Sequence, residues 1–189
     1  MRRARRSAAT PVRTEVDAAL AVMHAEELRE VAREMLLELG DRARRRMTTA
    51  LINRAARGGS GWAPAAPSEA AVTEVVAFAE AAKRVGYADP SDVDERLRRG
   101  SAAFLRKDYA AARRMLGALL PPIADAEIDL GQHELIDEVL GVDASACAAQ
   151  YVVAVYMTSD AAGRAGTVRA TSSFLCFGCC SARTKGPRR

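Results

Sequence analysis

Aromatic residues are scarce, only 5% of the 189 residues, so the interior cannot rest on large rings. Alanine, leucine and valine must fill it instead. No run approaches the ~18 consecutive apolar residues that cross a bilayer, so no transmembrane helix is expected. The opening MRRARRSAATPVRTEVDAALAV is basic, but Arg13, Glu15 and Asp17 break any apolar stretch. No secretory signal is expected, and the early acids argue against an organelle transit peptide. Cysteines number four, three of them in the last fourteen residues, too few and too crowded for a disulfide framework. A reducing cytoplasm is the expected setting.

Acidic residues are missing from both ends. Residues 1–13 hold five arginines and no acid, and residues 161–189 hold five arginines and Lys185, again with no acid. The stretch 14–160 carries 17 basic against 24 acidic residues, a net of −7. The basic character of the chain therefore belongs to its ends. An acidic body is a poor candidate for a nucleic-acid-binding domain, which would show a basic face.

What is present is helical period. Val16, Leu20, Met23, Leu28, Val31, Met35 and Leu39 predict a helix over 15–39, with Gly40 as its C-cap. Asp41 can cap a second helix over 42–57, where Met47, Ala50, Leu51 and Arg54 define faces. Three glycines and two prolines make 58–67 a loop. Ser68 caps a helix bearing Val72, Val75, Val76, Ala79 and Ala82, which Gly86 ends. Ser91 and Asp94 read as a variant capping box for a helix over 92–106. A turn at Lys107–Asp108 leads to a helix over 109–120, stopped by Pro121-Pro122. Short helices are expected near 123–129 and 132–140, and a last one from Asp143 or Ser145 through Met157. The run YVVAVYM at 151–157 has strand propensity, but an unbroken Ala-rich lead-in favours a buried helix.

The most informative segment is RLRRGSAAFLRKDYAAARRMLGALLPP, residues 96–122. Gly100 and Ala102 are small, Phe104 is a ring, Asp108-Tyr109 fall in a turn, and Ala112 and Leu116 follow. Small residues let two helix backbones approach, and rings close the open end. This spacing resembles one tetratricopeptide repeat over 27 residues. Arg96 replaces the family's usual large aromatic, the proline comes early, and no copy recurs 34 residues away on either side. The resemblance implies an antiparallel hairpin and a concave face that receives a peptide. An ordinary αα-hairpin implies the same local structure without that face.

Other constellations carry less. Cys176, Cys179 and Cys180 form C-x-x-C-C with no nearby histidine, short of the four ligands zinc wants. They read as inert tail thiols, as part of a metal site, or as lipidation sites beside Phe174, Leu175 and Phe177. Arg42, Arg44, Arg45 and Arg46 lie on a helix within reach of Glu34, Glu38 and Asp41, so an ion-paired face is expected. His24 and His133 have no catalytic partner and read as helix-surface residues. GGSG at 58–61 lacks the Lys-Ser/Thr of a phosphate loop.

The sequence thus predicts an all-α chain of antiparallel hairpins, stacked as a short solenoid or irregular bundle over 14–160. Basic disordered segments are expected at 1–13 and 161–189. The expected function is a non-enzymatic protein–protein interaction module with a protein or peptide partner and no cofactor or metal. One alternative is a nucleic-acid-associated protein whose basic ends bind phosphates. Another is a truncated helical-repeat protein, since the change of character after Asp160 is what a lost reading frame would produce.

Overall fold

The computed structural model describes residues 9–131 and 139–160. Those residues are all-α: seven helices and no strand. They are α1 (Ala9–Val22), α2 (Ala25–Glu38), α3 (Asp41–Arg57), α4 (Glu69–Val85), α5 (Pro90–Leu105), α6 (Tyr109–Ala124) and α7 (Ala144–Thr158). No helix among the described residues is long and apolar enough to cross a membrane. The chain divides into two units, Met1–Arg44 and Arg45–Arg189.

The first unit holds α1, α2 and the start of α3. The single helix expected over 15–39 is broken at Met23-His24. The backbone of His24 is extended, and its N–H donates to Oε2 of Glu27 at 2.7 Å. Thus His24 is a helix start, where periodicity alone saw a surface position. Gly40 does not take the left-handed conformation expected of it; its carbonyl accepts from Arg44 N–H instead. Arg44 supplies the missing cap. Its guanidinium donates to the carbonyls of Leu36, Leu37 and Leu39, at 3.0, 3.2 and 2.9 Å. Those are C-terminal carbonyls of α2 that no amide of the helix can reach.

The second unit contains the core, with α6 at its centre against α4, α5 and α7. Leu97, Met115, Leu116 and Leu119 are fully buried with Val72, Val75 and Ala112. Alanine and glycine set the spacing: a Cβ on Gly117 would lie 2.9 Å from the Tyr151 ring of α7. Capping is as predicted on α4, where Ser68 Oγ accepts from Ala71 N–H and Gly86 closes the helix at φ 76°. The cap of α5 is Asp89, which accepts from Ser91 N–H at 2.8 Å with Pro90 in the first turn. The Ser91–Asp94 capping box is therefore wrong, and Asp94 is placed elsewhere.

Pro121 and Pro122 do not stop α6, which runs to Ala124. Proline removes the N–H bonds back to residues 117 and 118, but near the helix end the cost is limited and Pro122 is buried in the core. No separate helix forms over 123–129: residues 123 and 124 are the end of α6 and the rest is turn. The chain turns through Ala126 at φ 57°, and Asp129 bridges back to Tyr87. Ala88 N–H donates to Asp129 carbonyl and Asp129 N–H to Gly86 carbonyl, both at 3.0 Å. This seats Ile128 and Leu130 in the core. The helix expected over 132–140 lies mostly outside the described residues. YVVAVYM is helical, in α7, capped by Asp143 on Ala146 N–H. Burial of one broad face, through Cys147, Ala148, Gln150, Ala154 and Val155, outweighs the few tenths of a kcal/mol that β-branching costs per residue, roughly, while Val153, Tyr156 and Met157 stay exposed on the other side.

Candidate interaction surface

The hairpin residues singled out from sequence divide into two groups. Gly100 and Leu116 make the α5–α6 contact itself, and Ala112 is fully buried in the core. A Cβ on Gly100 would sit 2.7 Å from Leu116 Cδ2 and 3.4 Å from Met115 Cβ, so the helices approach as closely as a glycine allows. Phe104 and Tyr109 face each other across the turn, ring centroids 5.6 Å apart and edge-on at 65°. Gly100 opposite Leu116 and Phe104 opposite Tyr109 is antiparallel order. Ala102 does not share this interface. With Ser101, Leu105, Thr49 and Ile52 it lines a pocket of about 70 Å³ on the other side of α5.

Asp94 is the polar centre of this unit and is 1% exposed. Its carboxylate accepts from Val142 N–H at 2.6 Å and lies 3.1 Å from Arg98 and 3.7 Å from Nε of Arg45. One buried carboxylate thus ties α3, α5 and the approach to α7. Its position, one residue after Val93 and three before Leu97, was a visible signal of burial; the nearby Ser91 made it read as a cap. Gly141 is confined here, since a Cβ would meet Asp94 Oδ2 at 3.2 Å and Arg45 Cβ at 3.1 Å.

Among the described residues, most surface cations of this unit are engaged. Arg96 pairs with Glu74 at 2.7 Å and lies 3.8 Å over the Phe78 ring. Arg99 pairs with Glu74 and Glu95, and this hydrogen bond holds Glu95 below the usual carboxylate range. Arg114 pairs with Glu69 at 2.6 Å, and Arg106 donates to Pro64 carbonyl.

The α3 surface differs. Met47, Ala50, Leu51, Arg54 and Arg57 line an open depression of about 620 Å³. Their spacing of three and four residues puts them on one helical face. Met47 is 49% exposed and Leu51 46%. Among the described residues, neither the Arg54 nor the Arg57 guanidinium has an ion pair or hydrogen bond. Of the basic cluster expected to pair with Glu34, Glu38 and Asp41, Arg44 pairs with Asp41 at 3.7 Å, while Arg45 lies beside Asp94 instead.

Nucleophile and metal chemistry find little support. Cys147 is buried on α7, which pushes its thiol up to about 12, first by desolvation and then by Asp143 and Asp94. Such a thiol stays protonated and unreactive at neutral pH. No group of three metal-ligating side chains occurs among the described residues. Cys176, Cys179, Cys180 and His133 lie outside them, as do most of the basic ends. No known protein family, curated protein or solved structure matches this chain.

Proposed function

We propose that this chain is a non-enzymatic helical protein–protein interaction module, and that its binding face is the exposed side of α3. The observation that carries this reading is the α3 depression. It combines apolar Met47 and Leu51 with Arg54 and Arg57, which have no partner among the described residues, whereas the other described arginines of this unit are mostly engaged. Apolar groups offer non-directional burial, while unpaired cations at the rim select charge. The matching ligand is an amphipathic helix with acidic residues beside its apolar stripe. On this reading the tetratricopeptide-like α5–α6 hairpin is scaffold: it anchors α3 through Asp94, Arg45 and Arg98. The module works in the reducing cytoplasm without a cofactor.

Fluorescence anisotropy tests the reading. The probe is a labelled sixteen-residue helical peptide with leucines at i, i+3, i+4 and i+7 flanked by glutamates. Saturable binding by the full chain, lost in an Arg54→Glu/Arg57→Glu variant, is the expected result. Binding of a labelled oligonucleotide instead, with a steep salt slope and no peptide binding, would overturn it in favour of phosphate recognition.

A further inference from the structure

We propose that α3 is a strap: its stretch from Arg45 to Arg57 lifts off α5 while the core stays folded, and so hides or bares one face of α5. The proposal goes beyond the reading of α3's outer face and stands without it.

The inner side of α3 carries Arg45, Thr49, Ile52 and Asn53, which share a face at these spacings. It covers Ser101, Ala102 and Leu105 of α5, but loosely. α3 buries none of its own residues, whereas α4, α5 and α6 each bury four or more. A cavity of about 70 Å³ lies between the two helices. Atoms that line such a gap miss the contacts close packing would give them. Along the same contact Asn53 Oδ1, Arg45 Nε and Arg98 Nε are shut in without a hydrogen bond. Lifting α3 hydrates all three, which offsets part of the apolar contact that opening loses.

The latch can let go without stranding a charge. Arg45 lies 3.7 Å from Asp94, yet Asp94 also has Arg98 at 3.1 Å and accepts from Val142 N–H at 2.6 Å. A buried carboxylate with one cation would hold that cation down; this one has a second. A hinge is in place as well. Gly59 and Gly61 have φ of 74° and 73°, with nothing within 4 Å of where a Cβ would stand, and Ser60 between them is exposed. Farther on, the Pro64 carbonyl accepts from Arg106 at the end of α5. The loop is thus held at Pro64 and open to turning before it.

Alkylation of thiols placed in the full chain, read site by site by mass spectrometry, tests the proposal. Ser101 lies under the strap and is 5% exposed; Ala103, on the core side of α5, is 0% exposed. The Ser101→Cys thiol should react with iodoacetamide roughly a hundredfold faster than the Ala103→Cys thiol, because local opening costs less than global unfolding. A bulky maleimide should give the same ratio, since a lifted helix admits both reagents. Arg45→Gln should speed reaction at the first site and leave the second unchanged. Ala102→Cys under the strap and Ala112→Cys in the core form a second pair should either variant fail to fold. Equal rates at the two sites would overturn the proposal, as would a rate indifferent to Arg45→Gln. So would a thiol that the small reagent reaches and the bulky one does not, because the cavity then leaks while α3 stays in place.

Discussion

Residues 15–44 and residues 45–160 are built from the same apolar residue types, yet only the second stretch has an interior. α2 buries nothing. α6 buries Ala111, Ala112, Met115, Leu116, Leu119, Leu120 and Pro122. The difference lies in the width of the stripe and the size of its neighbours. On α2 Leu28 and Val31 stand among charges, and Met35, Leu36 and Leu37 follow one another round the helix and so widen no single face. On α6 adjacent pairs recur with a glycine or alanine beside them, giving a face wide enough to meet three helices. Amphipathic period makes a helix; small residues at the contact decide whether another helix can come close.

The sharpest way to break this contrast is chemical. Cys147 should react with iodoacetamide at pH 8 about a thousandfold more slowly in the native protein than when unfolded, since its thiol titrates near 12 against an ordinary 9.0. A cysteine placed at Met35 should react at the unfolded rate. Mass-spectrometric labelling kinetics read both, and equal rates would erase the distinction. The sign fixes the pH response: the fold favours the protonated thiol, so its contribution is complete below pH 9 and is lost between 9 and 12. Next in size, Leu116→Ala should cost roughly 2–5 kcal/mol in urea unfolding, whereas Leu37→Ala should stay within about 0.5 kcal/mol. Gly100→Leu should cost about 1–3 kcal/mol, because the new side chain meets buried Leu116. A thermal melt matching the parent would remove Gly100 from the helix contact.

The smallest expected effect is a gain. Gln150 is 4% exposed, and neither of its amide atoms has a hydrogen bond. Gln150→Met keeps the length and removes two buried polar atoms without partners, which should stabilise by about 1 kcal/mol. A loss on this substitution would show that the amide is satisfied in solution.

Legibility followed the range of the interactions. The all-α class, the loop at 58–67 and the caps Ser68, Gly86 and Asp143 were readable, because each depends on a few adjacent residues. A small Gly100 at the α5–α6 contact was expected from the spacing, but that Leu116 is what fills the space opposite it was not. Interactions between distant residues were not readable. Asp94 looked like a cap until Val142 and Arg45 were placed beside it, 48 and 49 positions away. Arg44 looked like one member of a charged cluster, yet it closes α2. The Pro121-Pro122 stop failed because core burial offset the lost backbone bonds. The α3 surface was legible as a set of faces, but which one stayed open depends on what the rest of the chain covers.

The missing side chain at position 100 has a consequence for how such a protein can evolve. Leu116 occupies the volume a β-carbon would claim, so neither site can drift alone. Lineages sharing this architecture should hold glycine wherever a γ-branched residue faces it, and admit alanine or serine only alongside a slimmer opposite number. Homologous sequences, once aligned, would carry that linkage as covariation between two columns sixteen places apart.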